Sequence, residues 1–281
     1  MDYINAQQQD NDVVVTGLKY FNLEQTLDCG QAFRWVKVQE GHFSGVAYGQ
    51  YLEVLLADNE LILKNTTLDM FNKLWANYFH LNQPYGTLRD MFTNDHHMIA
   101  AMEFSPGLRL MQQDPWEIII SFILSQNSNI PRIKTMIESL CAHFGTPIET
   151  INGDVAHTFP DPKALASLTP QCLAPIKTGY RAPYILDAAQ RVACGKLDLQ
   201  SLATQSTAHV REALLTIHGV GPKVADCVLL FGFGRLECFP LDVWMKRVMS
   251  TLYPNGLPNG WQTHAGIAQQ FLFHYARVHG L

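Results

Sequence analysis

Basic charge is in short supply: the 281-residue chain has 20 Lys+Arg against 25 Asp+Glu, a formal net charge of −5. Nucleic-acid-binding domains are usually basic overall. The balance therefore excludes a uniformly cationic surface and leaves room only for a local cluster of cations and amide donors. The six cysteines (29, 141, 172, 194, 227, 238) form no Cys-x-x-Cys pair and no close group, which argues against a zinc or iron–sulfur framework and for reduced thiols in a cytosolic protein. No apolar run is long enough to span a bilayer. The start, "MDYINAQQQDND", lacks the basic end and apolar core of a secretory signal, so the expected location is the cytoplasm of a bacterium, with no membrane partner. No internal repeat is present. No Gly-x-Gly-x-x-Gly follows a strand-like segment, which disfavours a flavin or dinucleotide enzyme.

What the chain does contain changes period near residue 68. Residues 12 to about 67 read as sheet: "DVVVTGL" is β-branched, "AFRWVKVQ" and "HFSGVAYG" alternate in part, and "YLEVLLADNELILKN" reads as a hairpin with a polar turn. From residue 68 the apolar spacing is helical, in "LDMFNKLWANYFHL", "DPWEIIISFILSQ", "RIKTMIESLCAHF" and later stretches ending with "HAGIAQQFLFHYARV". Pro and Gly clusters at 145–162 and 253–260 separate them. The expected fold class is α+β: a small N-terminal antiparallel β-sheet domain with flanking helices over 1–110, then a larger all-α domain over 111–281.

The stretch "LLTIHGVGPKVADCVLLF" puts Gly219-Val220-Gly221 between two helical segments, with Pro222 and Lys223 opening the second. Proline suits a first helical position. An ammonium does not suit a helix N-terminus, where exposed N–H groups carry partial positive charge. Amides of such a turn and of the helix after it can hold a phosphate; taken alone, the glycines are explained more simply by a plain tight turn between core helices. Further on, Asp242 precedes another helical stripe, as an N-cap residue would. A carboxylate fixed there can also stabilise a developing cation, and a lysine destabilised as a cation can act as an amine nucleophile.

With these residues quoted, the chain resembles the 8-oxoguanine DNA glycosylase family of the helix–hairpin–helix superfamily. The resemblance runs from about residue 12 to 276 through "DCGQAFRW", "GLRLMQQDPWE", "SFILSQNSNIPRI", "GYRAPY", "HGVGPK", "FPLDVW" and "GIAQQFLF". It implies a helix–hairpin–helix glycosylase domain at the C-terminal side. It implies a bifunctional enzyme that flips 8-oxoguanine out of duplex DNA opposite cytosine, excises it through a Schiff base on Lys223, and nicks the strand by β-elimination. Asp242 would stabilise the charge that develops on the sugar. The main-chain carbonyl of Gly30 would accept the N7 hydrogen that distinguishes 8-oxoguanine from guanine. Cys227 and Phe273 would sandwich the flipped base, and Gln269 would bond its Watson–Crick edge.

On the partner strand the resemblance implies that Asn127 fills the vacated space, Arg132 and Arg181 bond the estranged cytosine, and Tyr180 wedges into the stack. Gly219, Val220, Gly221 and Trp244 would face phosphate. Trp244 stands where relatives often have histidine, and His218 where the superfamily usually has proline. No cofactor and no iron–sulfur cluster are implied, although the carbonyls near Leu215, Ile217 and Val220 would suit a structural cation. The partner the resemblance implies is double-stranded DNA containing oxidised guanine, and the expected state is a monomer.

Read from residue types alone, several positions keep a second explanation. Gly30 suits a bulge or turn, Cys227 and Phe273 suit a core, and Arg132 and Arg181 suit a solvated surface. Glycosylases of the same superfamily acting on other damaged bases, or a non-catalytic helix–hairpin–helix DNA-binding module, are the alternatives. The endonuclease III type carries a four-cysteine loop after its aspartate, whereas no cysteine follows Cys238 here. An alkylated-base glycosylase typically lacks the lysine.

Overall fold

The β-branched and alternating segments pair into one antiparallel sheet in the computed structural model, which describes residues 1–280. Its strands are β1 (Asn5–Gln9), β2 (Asp12–Thr16), β3 (Trp35–Gln39), β4 (His42–Ala47), β5 (Gln50–Ala57) and β6 (Glu60–Leu63). Their spatial order is β1-β2-β6-β5-β4-β3. Val13, Val14 and Val15 lie opposite Leu63, Ile62 and Leu61, so the most apolar strand sits inside the sheet. Two features differ from the sequence expectation. The polar segment before residue 12 is a strand, pairing along β2 from Asn5–Thr16 to Gln9–Asp12; polar side chains suit an edge, where backbone pairing needs no apolar face. The stretch between β2 and β3 also carries a short helix, α1 (Leu23–Leu27), capped by the Asn22 side chain.

The helices that follow are α2 (Leu68–Met70), α3 (Ala76–Tyr78), α4 (Tyr85–Asp90), α5 (His96–Phe104), α6 (Pro115–Leu124) and α7 (Ile130–Phe144). A π-turn over Phe71–Trp75 joins α2 to α3. The Pro/Gly-rich region expected as a separator holds a small hairpin, β7 (Pro147–Glu149) with β8 (Val155–His157). Then come α8 (Pro162–Ala166), α9 (Ala182–Ala193), α10 (Leu199–Ala203), α11 (Thr207–Leu215), α12 (Pro222–Phe231), α13 (Val243–Thr251) and α14 (Ala265–His279). Among the described residues, no helix is long and apolar enough to cross a membrane.

Two compact units result. One comprises Met1–Gly45, Leu52–Gln112 and the chain from Leu236 onward; the other comprises Val46–Tyr51 and Gln113–Arg235. These units are not the contiguous halves 1–110 and 111–281, because the last helices fold with the sheet. There α14 packs on α5, and the Tyr253 hydroxyl donates to Asp95 at 2.8 Å. The same unit is centred on aromatics: the Trp35 indole donates to the Tyr78 hydroxyl at 2.8 Å, and Trp75, Tyr78 and Phe79 meet edge-on or tilted. Arg109, from the motif "GLRLMQQDPWE", is fully buried there. Its guanidinium donates to the carbonyls of Tyr20, His80, Gln83 and Lys19 and to the Asp2 carboxylate, so every donor is matched.

The second unit is built round α6. Asp114 caps it, Pro115 opens it, and Ile118 to Leu124 are buried on every side, as a helix apolar all round requires. α7, α9 and α12 pack against it, and the Phe122 and Phe231 rings stack at 5.5 Å.

Candidate active site

In the second unit, α11 and α12 are joined by Thr216 to Gly221. The two hairpin glycines serve different ends. Gly219 has φ +80°, and a Cβ built on it would lie 2.2 Å from the Tyr184 ring, so packing and backbone both require glycine. At Gly221 the backbone is extended and an added Cβ would meet no protein atom within 4 Å. The fold does not demand glycine there. The space it leaves is open for a close-approaching ligand backbone. The first intrahelical bond runs from the Ala225 amide to the Gly221 carbonyl, leaving the Lys223 and Val224 amides ahead of the ladder. Such amides at a helix start suit an anion.

Pro222 occupies the first position of α12 and Lys223 the next. Lys223 is half-buried, its amine 5.0 Å from the centroid of the Phe122 ring. Cys227, one turn on, is 2 % exposed. The hairpin is braced from α9. The His218 amide donates to Asp187 at 2.8 Å, a bond that proline at this position could not make, and the His218 ring meets Tyr184 edge-on. Burial raises the Asp187 pKa, but the bonds from Arg191 and the His218 amide outweigh it and hold the carboxyl below its ordinary value.

The loop after α6 lies in the same unit. Asn127 is exposed at φ +46°, a left-handed conformation that asparagine tolerates. Its amide donates to the Tyr180 hydroxyl at 3.1 Å, and Tyr180 is 48 % exposed. Arg132 is exposed in the first turn of α7, its amide bonded to the Asn129 cap. Arg181 is instead buried. Its Nε donates to the Gln126 carbonyl at 2.9 Å, while its other nitrogens reach the carbonyls of Thr178, Gln126 and Asn127. The structure therefore brings Asn127, Tyr180 and Arg181 together, and Arg181 grips the loop backbone. Gln126, which the sequence did not single out, ties this loop to the hairpin by donating to the Gly219 carbonyl at 3.1 Å.

The remaining candidates belong to the first unit. Asp242 caps α13, its carboxylate accepting the Met245 amide at 2.8 Å. Trp244 lies in the first turn with the Arg247 guanidinium 5.2 Å from its ring centroid. Gly30 has φ +89° and follows Cys29, whose thiol burial pushes up to about 11; the thiol contacts the Thr26 carbonyl. On α14, Gln269 is 4 % exposed and its Oε1 is buried with no hydrogen-bond partner. A buried unpaired polar atom is costly, and α14 carries two, His274 Nδ1 and Gln269 Oε1. Phe273 is half-buried one turn on, with the Arg277 guanidinium 5.9 Å from its ring centroid. Among the described residues, no group of three or more His, Cys, Asp or Glu side chains is placed to hold a metal ion.

Comparison with known proteins fits this layout. The model of the 8-oxoguanine DNA glycosylase N-terminal domain matches residues 13–119, and that of the HhH-GPD superfamily of base excision DNA repair proteins matches 120–267. An N-glycosylase/DNA lyase of Saccharomyces cerevisiae is 35 % identical over 262 residues, 82 % of this chain and 68 % of its own. A solved structure described as MBOgg1 in complex with a low affinity DNA ligand is 41 % identical, with a TM-score of 0.94 and full coverage of both chains. The 8-oxoguanine glycosylase/lyase of Clostridium acetobutylicum, solved with double-stranded DNA containing cytosine opposite 8-oxoguanine, is 31 % identical, again with a TM-score of 0.94 and full coverage of both. With both domain models matched in order and both structures superposing end to end, this chain belongs to the 8-oxoguanine DNA glycosylase family of the HhH-GPD superfamily.

Proposed function

We propose that this protein is a bifunctional DNA glycosylase and lyase that excises 8-oxoguanine lying opposite cytosine and then cleaves the strand. The observation that carries the reading is Lys223, an amine one residue inside a helix start whose leading amides and neighbouring Gly221 are open to an anion. The lesion is flipped out of the stack, because its glycosidic carbon is unreachable within it. The neutral Lys223 amine attacks C1′ of the sugar. The C1′–N9 bond breaks, the base leaves with the bonding electrons and takes up a proton, and the amine loses one. Ring opening gives the Schiff base. Loss of a C2′ proton and cleavage of the C3′–O bond then nick the strand. Asp242, its carboxylate held by the Met245 amide, stabilises the cationic sugar as the base departs.

Base choice rests on hydrogen bonding. The Gly30 carbonyl accepts the N7 hydrogen of 8-oxoguanine and meets a lone pair in guanine. The unpaired Gln269 acceptor takes the Watson–Crick edge, and Cys227 and Phe273 enclose the ring. Asn127 fills the vacated place and Tyr180 wedges into the stack. Arg132 and Arg181 read the cytosine, Arg181 by exchanging loop carbonyls for the base. The hairpin glycines, Val220 and Trp244 face phosphate. The carbonyls of Leu215, Ile217 and Val220 are oxygen ligands of the kind a hard cation takes; that of Ile217 also accepts the Val220 amide. The enzyme acts as a monomer and needs no cofactor.

Borohydride trapping on a duplex with 8-oxoguanine opposite cytosine tests the reading, with undamaged duplex and Lys223→Gln as controls. A covalent adduct on the damaged duplex, lost in the variant, is expected. Base release without an adduct would remove Lys223 as nucleophile. Neither adduct nor release would overturn the assignment of lesion.

A further inference from the structure

Gly30 has φ +89°, a region where a glycine backbone is loosely restrained, yet its carbonyl must be aimed for one hydrogen bond to discriminate bases. The residues on either side are anchored. Gln270 donates through Nε2 to the Cys29 carbonyl at 3.3 Å and to the Cys29 thiol at 3.1 Å. On the other side, the Gln31 side chain donates to the carbonyls of Thr26 and Arg109 at 2.8 and 2.7 Å and accepts the Met111 amide at 2.9 Å. Cys29 and Gln31 are fully buried and Gln270 is 2 % exposed. From the same helix as Gln270, Arg277 donates to the Asp28 carbonyl at 3.0 Å.

We propose that Gln270 is a positioning residue for damage recognition, which aims the Gly30 carbonyl by fixing the peptide that precedes it. The inference rests on the role given to Gly30 above. Its structural logic lies in α14. Gln269 and Gln270 project about 100° apart around that helix, so one rigid element carries Gln269 and Phe273 and also grips successive carbonyls of the Gly30 loop, Cys29 through Gln270 and Asp28 through Arg277. The distance between the N7 acceptor and the Watson–Crick reader is then set by a single helix. An apolar residue at 270 would fill the space but leave a buried carbonyl unpaired and the Cys29–Gly30 peptide able to rotate.

The test compares two reactions of one preparation: single-turnover excision of 8-oxoguanine opposite cytosine, and cleavage of a preformed abasic site. The second needs DNA binding and Lys223 but no base reading. Gln270→Leu keeps the volume and removes the donor. It should slow excision roughly ten- to hundredfold, the scale of one misdirected buried hydrogen bond, and leave abasic cleavage near wild type. Gln270→Glu donates only when protonated, so its excision rate relative to wild type at the same pH should recover toward acid. Parallel loss of both reactions would show that Gln270 serves the fold alone and overturn the proposal, as would an unchanged excision rate. A wild-type protein that cleaves abasic DNA but ignores 8-oxoguanine would overturn the reading of Gly30, and this inference with it.

Discussion

Gly219 and Gly221 stand two residues apart in one turn, and alanine at each should fail in a different way. At Gly219 the backbone is left-handed and the new methyl would lie 2.2 Å from the Tyr184 ring. The conformation costs alanine about 1–2 kcal/mol and the overlap a further 1–3 kcal/mol or so, a total of roughly 2–5 kcal/mol. At Gly221 neither term applies, because the backbone is extended and the added methyl meets no protein atom within 4 Å. Stability should stay within about 1 kcal/mol of wild type and can rise slightly, since alanine narrows the unfolded ensemble. The methyl would instead stand off a phosphate from the amides of the turn. Loss of one hydrogen bond to a charged group is worth about 1.5–3 kcal/mol, or roughly ten- to hundredfold in affinity. Urea unfolding gives the first quantity. Anisotropy titration of a duplex with a stable abasic analogue, repeated across salt concentrations, gives the second. Gly221→Ala removes no cation, so the salt dependence should keep its wild-type slope while affinity falls. If Gly219→Ala unfolds at the wild-type urea concentration, the packing argument fails. If Gly221→Ala binds DNA with unchanged affinity, the turn is not the phosphate cradle.

Asp242 can be separated from its capping role. Asn caps as well as Asp, so Asp242→Asn should retain stability in urea while losing about two orders of magnitude or more in single-turnover excision, and Asp242→Ala should lose about 1 kcal/mol of stability as well. Acid should weaken the fold through His80, whose pKa burial, and secondarily Arg109, depress from 6.5 to about 3. The unfolded chain takes up that proton first, so the stabilisation is complete above pH 6.5 and is lost as pH falls toward 3. The slope is about 1.4 kcal/mol per pH unit. Urea midpoints between pH 6.5 and 4.5 should fall less steeply in His80→Gln, and equal slopes would refute the assignment.

Much of the site was legible because its residues carry local signals. Pro222 and Asp242 announce helix starts by type, and both stand at them. The pattern of Lys223 with Cys227, and of Gln269 with Phe273, follows from helical spacing alone. Other features depend on pairing that no window of sequence displays. The strand at Asn5–Gln9 is polar and becomes a strand only because β2 offers it an edge. The hairpin within 145–162 looks like a spacer for the same reason. Arg181 could be read as a surface cation, but its burial arises from loop carbonyls 54 and 55 residues earlier. The partners that brace the hairpin, Tyr184, Asp187 and Gln126, have ordinary types in ordinary positions. Only the folded geometry gives them a task.

The way α14 closes the sheet-containing unit also sets a timetable for synthesis. The bond from Gln270 to Cys29 joins residues 241 positions apart, and Tyr253 reaches Asp95 across 158. On a ribosome adding 5–20 residues per second, the Cys29 loop waits roughly ten to fifty seconds for its strap. The Gln113–Arg235 stretch emerges in full during that interval and can form its helices round α6. The unit that begins the chain is therefore among the last parts to finish, and its early strands spend that time exposed to chaperones and to one another.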